Sequence, residues 1–458
     1  VLSIVVIVVY QFLFVKLPEP VSDQEKAQNQ EQTISKHQET SPAAAPNTPT
    51  AVESTPVISD IIKSKKKEAK TMMVSTPLYN VSISEIGAAI SSFELKNYYK
   101  TIQEDSPLYQ MVPKELNKGT LFFDFENNSI PGLKDALYTV REESDLLNLS
   151  QGTQSVEFEL QSAQGIRLKK IFTFRADSYL IDCDVVILNG SSLALKDSIR
   201  LHIPGVYNDE TKKEAGFAFR GPVAFINDKY TEIEPDKIDE QNTYTGSIDW
   251  VSFSEQYFVT TLLPKQKEGR LLLSYANERV DSQYIEKIAV LAPGQQSSHS
   301  FTFYLGPKSH KILNNYEGSL KEVINFGFFN IIAKPLLIGM NMLHDMVPNY
   351  GVAIILLTII IKLIFWPLGT KSYKSMSKMK KIQPLMTEIR AKYKNDKQKM
   401  NQEIMGLYKT YKVNPASGCL PILVQMPIFF ALYKMLYQAI ELRRSEERRV
   451  GKECRSRW

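Results

Sequence analysis

The sequence predicts a membrane protein of two parts: an all-β sandwich domain on the outer side, and α-helical spans joined by a cytoplasmic helical hairpin. Three observations carry this. An apolar span (GVAIILLTIIIKLIFWPLG, Gly351–Gly369) leads through a Lys- and Met-rich polar segment to a second one (CLPILVQMPIFFALYKMLYQAI, Cys419–Ile440). Between Lys371 and Lys412 the many basic residues are opposed only by Glu388, Asp396 and Glu403, which puts this loop in the cytoplasm by the positive-inside rule. From about Met73 to Leu305 the hydrophobic period is two, broken by Asn-Gly, Pro-Gly and Asp-rich turns, as expected of antiparallel strands.

The elements run in order along the chain. Residues 1–17 open with the apolar run Val1 to Val15, read as a first membrane span already shortened at its start. A signal peptide is the alternative, but no A-x-A-like cleavage site comes after it. With the N-terminus cytoplasmic, this span delivers the next part of the chain to the exterior. Residues 18–72 are rich in Gln, Glu, Ser, Thr, Pro and Ala, cannot bury enough apolar surface to offset ordering entropy, and read as a disordered linker.

Residues 73–306 form the β-domain. Val156, Phe158 and Leu160 alternate with Glu157 and Glu159, and Ala163-Gln164-Gly165 supplies a turn before the next strand. The length calls for a large sandwich rather than an immunoglobulin-sized one. After Gly306-Pro307 the period turns helical, and residues 307–348 hold connecting helices and an amphipathic helix expected at the outer interface. The second span is assigned to 349–369, the hairpin to 370–415 and the third span to 418–442. In the hairpin Met376, Met379, Gln383, Met386, Arg390 and Tyr393 recur three or four apart, as do Met400, Ile404, Leu407 and Tyr411, with Asn395-Asp396 as the turn. The two stripes predict either a stable antiparallel pair or a docking arm whose flexible methionines adapt to apolar partners.

Composition excludes several classes. A charge of +5 over 458 residues is too mild for a nucleic-acid binder. Cys183, Cys419 and Cys454 offer neither a disulfide framework nor metal-ligand spacing, and Cys183 reads as a small buried residue of a strand. No nucleotide-binding loop pattern is present.

Lys362 is the residue that asks for a function. Charge at membrane depth costs about 2.5–3.5 kcal/mol on insertion scales. One account is snorkelling to the inner headgroups, with Trp366 as interface anchor. The other is a lysine facing a wet cavity in a helix bundle, with Thr358 one turn away on the same face. Pro421, Gln425, Pro427 and Lys434 in the last span favour a bundle, because an isolated lipid-facing helix leaves such groups unsatisfied.

The segments NPASGCLPILVQMPIFFALYKML and SYKSMSKMKKIQPLMTEIRAKYKNDKQKMNQEIMGLYK, with the upstream run VINFGFFNIIAKPLL, resemble the YidC/Oxa/Alb family of membrane-protein insertases over about 306–443. The domain order resembles that of its Gram-negative members with a large periplasmic domain, which implies a supersandwich-like β-fold and a place in the bacterial inner membrane. The resemblance implies an insertase core with a hydrophilic groove open to cytoplasm and lipid, in which Lys362 matches the family's basic residue and Thr358 a groove-lining polar position. Gln425 is expected in the same groove. It implies nascent membrane-protein substrates, membrane lipid, and delivery to the hairpin by the ribosome or the Sec translocon, with no cofactor, no metal and no catalytic residue. Two features depart from the family: its remaining membrane helices are missing, and Arg444 to Trp458 reads as the translation of a sequencing adapter. The chain as written is therefore expected to be a fragment lacking much of the groove.

Two other functions fit the layout. A periplasmic carbohydrate-binding protein or enzyme on membrane anchors would suit a large β-sandwich, but His202, His299 and His310 show no pairing in the sequence. A receptor signalling through the hairpin would need an output domain, and none is legible after it.

Overall fold

The computed structural model describes residues 69–101, 105–142, 144–414 and 420–443. The expected first span, nearly all of the linker, Cys419 and the segment 444–458 lie outside the described residues.

The described strands form two sheets. The five-stranded sheet runs β4-β3-β2-β1-β7, with β1 Thr71–Ser75, β2 Tyr79–Ser84, β3 Ala89–Tyr99, β4 Leu108–Gln110 and β7 Leu146–Asn148. The first part of the thirteen-stranded sheet comprises β5 (Phe122–Phe125), β6 (Thr139–Val140), β8 (Thr153–Gln161), β9 (Ile166–Arg175), β10 (Leu180–Asn189) and β11 (Ser198–Val206). It continues with β12 (Gly221–Ile226), β13 (Lys229–Glu232), β14 (Thr243–Ser254), β15 (Phe258–Pro264), β16 (Glu268–Ala276), β17 (Arg279–Lys287) and β18 (Gln296–Pro307). Its order is β5-β11-β17-β16-β14-β15-β18-β10-β9-β8-β6, with β12 and β13 branching from β14. The long strand β14 makes the corner: Thr243–Ser247 pair with β16, whereas Val251–Ser254 pair with β15.

Alternation sets the core. In β9 the buried face holds Ile166, Leu168, Lys170, Phe172 and Phe174. Cys183 is buried opposite Phe172 on one side and Phe301 on the other, so a small side chain is what that row accommodates. Lys170 sits in this apolar row with 1% exposure. Its ammonium donates to the carbonyls of Gly87 (3.1 Å) and Ala88 (3.0 Å) and lies 4.6 Å from the centre of the Phe123 ring. Gly87 and Ala88 both have positive φ (68° and 44°), a left-handed turn beside the lysine whose ammonium its two carbonyls accept.

The chain leaving β18 is stitched to the sandwich. Trp250 donates its indole N–H to the carbonyl of Ser319 (3.2 Å), and the Tyr316 hydroxyl accepts from the Tyr179 backbone N–H (3.2 Å). Two short helices, α1 (Asp209–Ala215) and α2 (His310–Leu313), add to the β-domain and its exit.

Among the described residues, three long helices and one arm follow: α3 (Asn330–Met346), α4 (Tyr350–Lys392), α5 (Lys397–Thr410) and α6 (Leu420–Gln438). Helix α3 buries Ala333, Leu337, Met340 and Asn341, and exposes a second apolar stripe of Ile331, Ile338, Met342 and Met346. Helix α4 has 43 residues, about 65 Å at 1.5 Å per residue. That is about twice a bilayer's hydrocarbon thickness, so the span and the first arm of the hairpin are one helix. It runs unbroken through Pro367, Gly369 and Pro384. The turn at Asn395-Asp396 is closed by Asp396, whose side chain accepts from the Lys399 N–H at 3.0 Å and caps α5.

The stripe on the first arm differs from the expected one. Met379, Ile382, Met386, Ile389 and Tyr393 turn inward, while Met376, Gln383 and Arg390 do not share that face. The inward set keeps the 3.6-residue period and is apolar throughout, so burial selects it over a set that includes Gln383 and Arg390. On α5, Met400, Ile404 and Leu407 are half-buried, and Tyr408 reaches the Met386 sulfur at 3.6 Å.

Candidate substrate groove

Helices α4 and α6 are long and apolar enough to cross a membrane. Most of their side chains are exposed, including Ile355, Ile359, Leu363, Ile364, Leu423 and Phe429. Between them opens a cleft of about 510 Å³ lined by Lys362, Phe365, Trp366, Leu368, Gly369, Thr370, Tyr373, Lys374, Pro421 and Gln425. The fold thus brings together Lys362 and Gln425, which lie on different helices. Thr358 is not among the lining residues. It is half-buried, and its hydroxyl donates to the Ile354 carbonyl one turn back at 2.8 Å, the usual way an apolar helix satisfies a threonine. No carboxylate is among the described lining residues, and the two charges there are both lysines. Lys362 and Gln425 stand out in the sequence as polar residues of apolar spans. Thr370, Tyr373 and Lys374 do not, because the sequence groups them with the hairpin.

Helix α6 is held by its second half. Ala431 and Met435, four residues apart, are buried, and Phe430 stacks on Phe329 at 6.0 Å. A Cβ at Gly327 (φ 61°) would stand 3.1 Å from the Lys434 ammonium, so a glycine fits that left-handed turn beside the lysine. The far end of α6 meets the β-domain. Gln256 donates to the Tyr437 carbonyl (2.9 Å), Tyr437 donates to the Ala215 carbonyl (3.2 Å), and Arg443 lies over Phe258 (4.7 Å) and Tyr109 (4.8 Å). These contacts join residues far apart in the chain and carry no local sequence signal.

The β-domain gathers polar groups as well. His202 contacts Asp281 (2.7 Å) and Asp124 (3.3 Å), and Arg200 forks onto Asp124 at 2.7 and 2.8 Å. Burial alone would raise Asp124, but hydrogen bonds from His202 and Arg200 hold its carboxyl down at about 2. His299 meets Glu286 at 2.6 Å. Both histidines are buried in the sheet, and neither lines the open cleft of about 1120 Å³ edged by Glu126, Lys267, Arg270 and Lys287. The pairing that the sequence does not reveal is therefore between strands. Among the described residues no cluster of His, Cys, Asp and Glu could hold a metal ion.

Comparison with known proteins agrees with this architecture. The family described as YidC periplasmic domain matches residues 71–338, and 60Kd inner membrane protein matches residues 342–448. The chain is 34% identical over 452 residues to a membrane protein insertase YidC of Syntrophus aciditrophicus, covering 97% of this chain and 83% of the relative. A YidC insertase of Citrifermentans bemidjiense is 36% identical over 382 residues, 82% of this chain and 70% of the relative. One from Maridesulfovibrio salexigens is 33% identical over 462 residues, covering 97% and 80%. Among solved structures, a galactose mutarotase-like protein from Lactobacillus casei is similar at TM-score 0.36 and 12% identity, covering 52% of this chain and 100% of that one. That likeness carries no argument about activity. The chain belongs to the YidC family of membrane protein insertases, and residues 71–338 are its periplasmic domain.

Proposed function

We propose that this insertase takes the hydrophilic flank of a nascent membrane protein into the cleft between α4 and α6, with Lys362 and Gln425 as its polar contacts. The protein is an insertase of the inner membrane and not an enzyme, and the carbohydrate-binding alternative is not favoured. The observation that carries the proposal is that Lys362 lines an open cleft together with Gln425 from the second helix. A cation there interacts strongly with acidic or polar segments, because apolar helices screen poorly.

Each step builds on this arrangement. The flank enters from the cytoplasm, so less polar chain remains to cross. The apolar segment next to it leaves sideways along the exposed faces of α4 and α6 into lipid. The drive is the burial of about 20 apolar residues in hydrocarbon and the membrane potential acting on translocated charge. Thr358, whose hydroxyl donates within its own helix, would offer its oxygen as an acceptor one turn deeper.

The orientation proposed is a cytoplasmic N-terminus and hairpin with the β-domain in the periplasm, supported by the lysine excess between Lys371 and Lys412. The hairpin is proposed to receive substrate from the ribosome or the Sec translocon. Met376 offers an exposed contact, and Met379, Met386, Met400, Ile404 and Leu407 offer half-buried ones. The test is Lys362→Ala in the complete gene, with membrane insertion of small single-span substrates that carry acidic outer segments as the readout. Insertion should fall, and most of the β-domain should be more dispensable than Lys362. Unchanged insertion across several substrates would return Lys362 to a snorkelling role.

A further inference from the structure

The cleft has two chemically different ends. Lys362 and Lys374 are twelve positions apart on one helix, about 18 Å along its axis. Along α4 the lining runs from Lys362 and Phe365 at one end to Thr370, Tyr373 and Lys374 at the other, with Pro421 and Gln425 facing it from α6. That second end lies where α4 passes from apolar span to basic arm, and Trp366, 68% exposed, stands between the two. Aromatic side chains with one apolar and one polar edge settle at the headgroup level of a membrane.

We propose that the Lys374 end of this cleft binds the phosphate of an anionic phospholipid. The ammonium of Lys374 and the hydroxyl of Tyr373 face the phosphate, while Trp366 and Phe365 cover the glycerol and first methylenes. One observation calls for an anion, and two more favour a phospholipid over a peptide carboxylate. The lining has cations and hydroxyls but no carboxylate among the described residues. The polar end continues directly into an apolar wall against which an acyl chain can lie. And further into the span, ten to fifteen residues from Lys374, Ile359, Ile360, Leu363 and Ile364 are exposed and apolar, so acyl chains extending from a phosphate at Lys374 meet an apolar surface open to the bilayer. The Thr370 hydroxyl already donates to the Pro367 carbonyl at 3.0 Å, which leaves Lys374 and Tyr373 as the donors. The inference rests on the proposed membrane placement of α4. It also adds a consequence: lipid and substrate flank share one cleft, so substrate entry displaces the lipid.

Trp366 is a natural reporter. Trp250 is fully buried in the β-domain, and Trp458 is removed by Trp458→Phe. The full chain is placed in nanodiscs of phosphatidylethanolamine containing equal small fractions of brominated phosphatidylglycerol or brominated phosphatidylcholine, and quenching of Trp366 is measured. Phosphatidylglycerol should quench as if enriched about fivefold, the factor for one lysine at a charged membrane surface. Lys374→Gln should abolish the excess, while Lys374→Arg and the off-cleft control Lys378→Gln should keep it. Equal quenching by the two lipids would overturn the proposal, as would an excess that survives Lys374→Gln or is lost equally in Lys378→Gln. So would an excess removed by millimolar inorganic phosphate, since the cleft would then read phosphate without the lipid. No substrate enters this measurement, so its failure is distinct from a failure of Lys362→Ala to impair insertion.

Discussion

The β-domain and the helical region treat apolar surface in opposite ways, and two lysines show the difference. In the sandwich, Phe123, Phe158, Phe172, Phe174 and Trp250 are enclosed, and Lys170 among them is satisfied by two carbonyls and an aromatic face. In α4 and α6 large apolar side chains such as Ile355, Leu363, Ile364, Leu423 and Phe429 stay exposed, and Lys362 stands at an open cleft. A closed core must satisfy a charge internally, because nothing can enter to do so. An open cleft between apolar helices leaves its charge available to what enters. The first arrangement makes stability, and the second makes a site.

The largest expected effect on this contrast is at Lys170. Lys170→Ala should destabilise the β-domain by about 3–5 kcal/mol, the cost of emptying a buried large side chain. Two carbonyls would also lose their donor. Urea unfolding monitored by Trp250 fluorescence measures it, and a loss below about 1 kcal/mol, the range of ordinary substitutions, would mean that the lysine is not integral to the core. Lys362→Ala, in contrast, should leave this transition where it is.

A pH series sharpens the same point. Burial pushes Lys170 from its ordinary 10.5 down to about 8. Between those values the unfolded chain binds more protons than the folded one, so stability rises as pH increases through that window. Below the folded value the cost of the buried charge is constant, so stability there is level with respect to this group. The rise approaches about 3 kcal/mol if the shift is fully expressed. Lys308 is pushed the same way by burial, so the measurement is the difference between the wild type and Lys170→Met. A flat difference across that whole window would show that Lys170 is not desolvated.

Within the hairpin the contrast recurs at smaller scale. Ile382 is 2% exposed and Met376 is 47% exposed, on the same arm. Ile382→Ala should weaken hairpin protection in hydrogen exchange by about 2 kcal/mol, at the low end for a truncated buried aliphatic. Met376→Gln should change it by less than about 0.5 kcal/mol, as for an ordinary surface substitution. Equal effects would restore the stripe that includes Met376.

How much is legible in the sequence depends on what each signal rests on. Strand alternation reads directly from residue type, so Val156 and Phe158 and the row of β9 are visible there. Lys170 occupies a buried position of that same alternation, but its residue type argues for the surface, and only the turn at Gly87 and Ala88 reverses that. In the cleft, Lys362 announces itself as a charge in an apolar run, whereas Lys374 looks like one lysine among many in a basic loop. The continuous helix α4 is what carries Lys374 to the same cleft. The docking of Arg443 and Tyr437 on the β-domain depends on tertiary placement alone. On the first arm, Met379 and Met386 face inward as their spacing predicts, but Gln383 and Arg390 share that spacing while their polarity keeps them toward solvent.

The central claim is that substrate passes through the cleft rather than along the outer surface of the helices. A photo-crosslinking residue at Gln425, compared with one at the exposed Val352 on α4, tests it on a nascent single-span substrate. Strong adducts at 425, weak ones at 352, and loss of the 425 adduct in Lys362→Ala are the predicted result. Equal adducts at both positions, or a 425 adduct indifferent to Lys362, would contradict it.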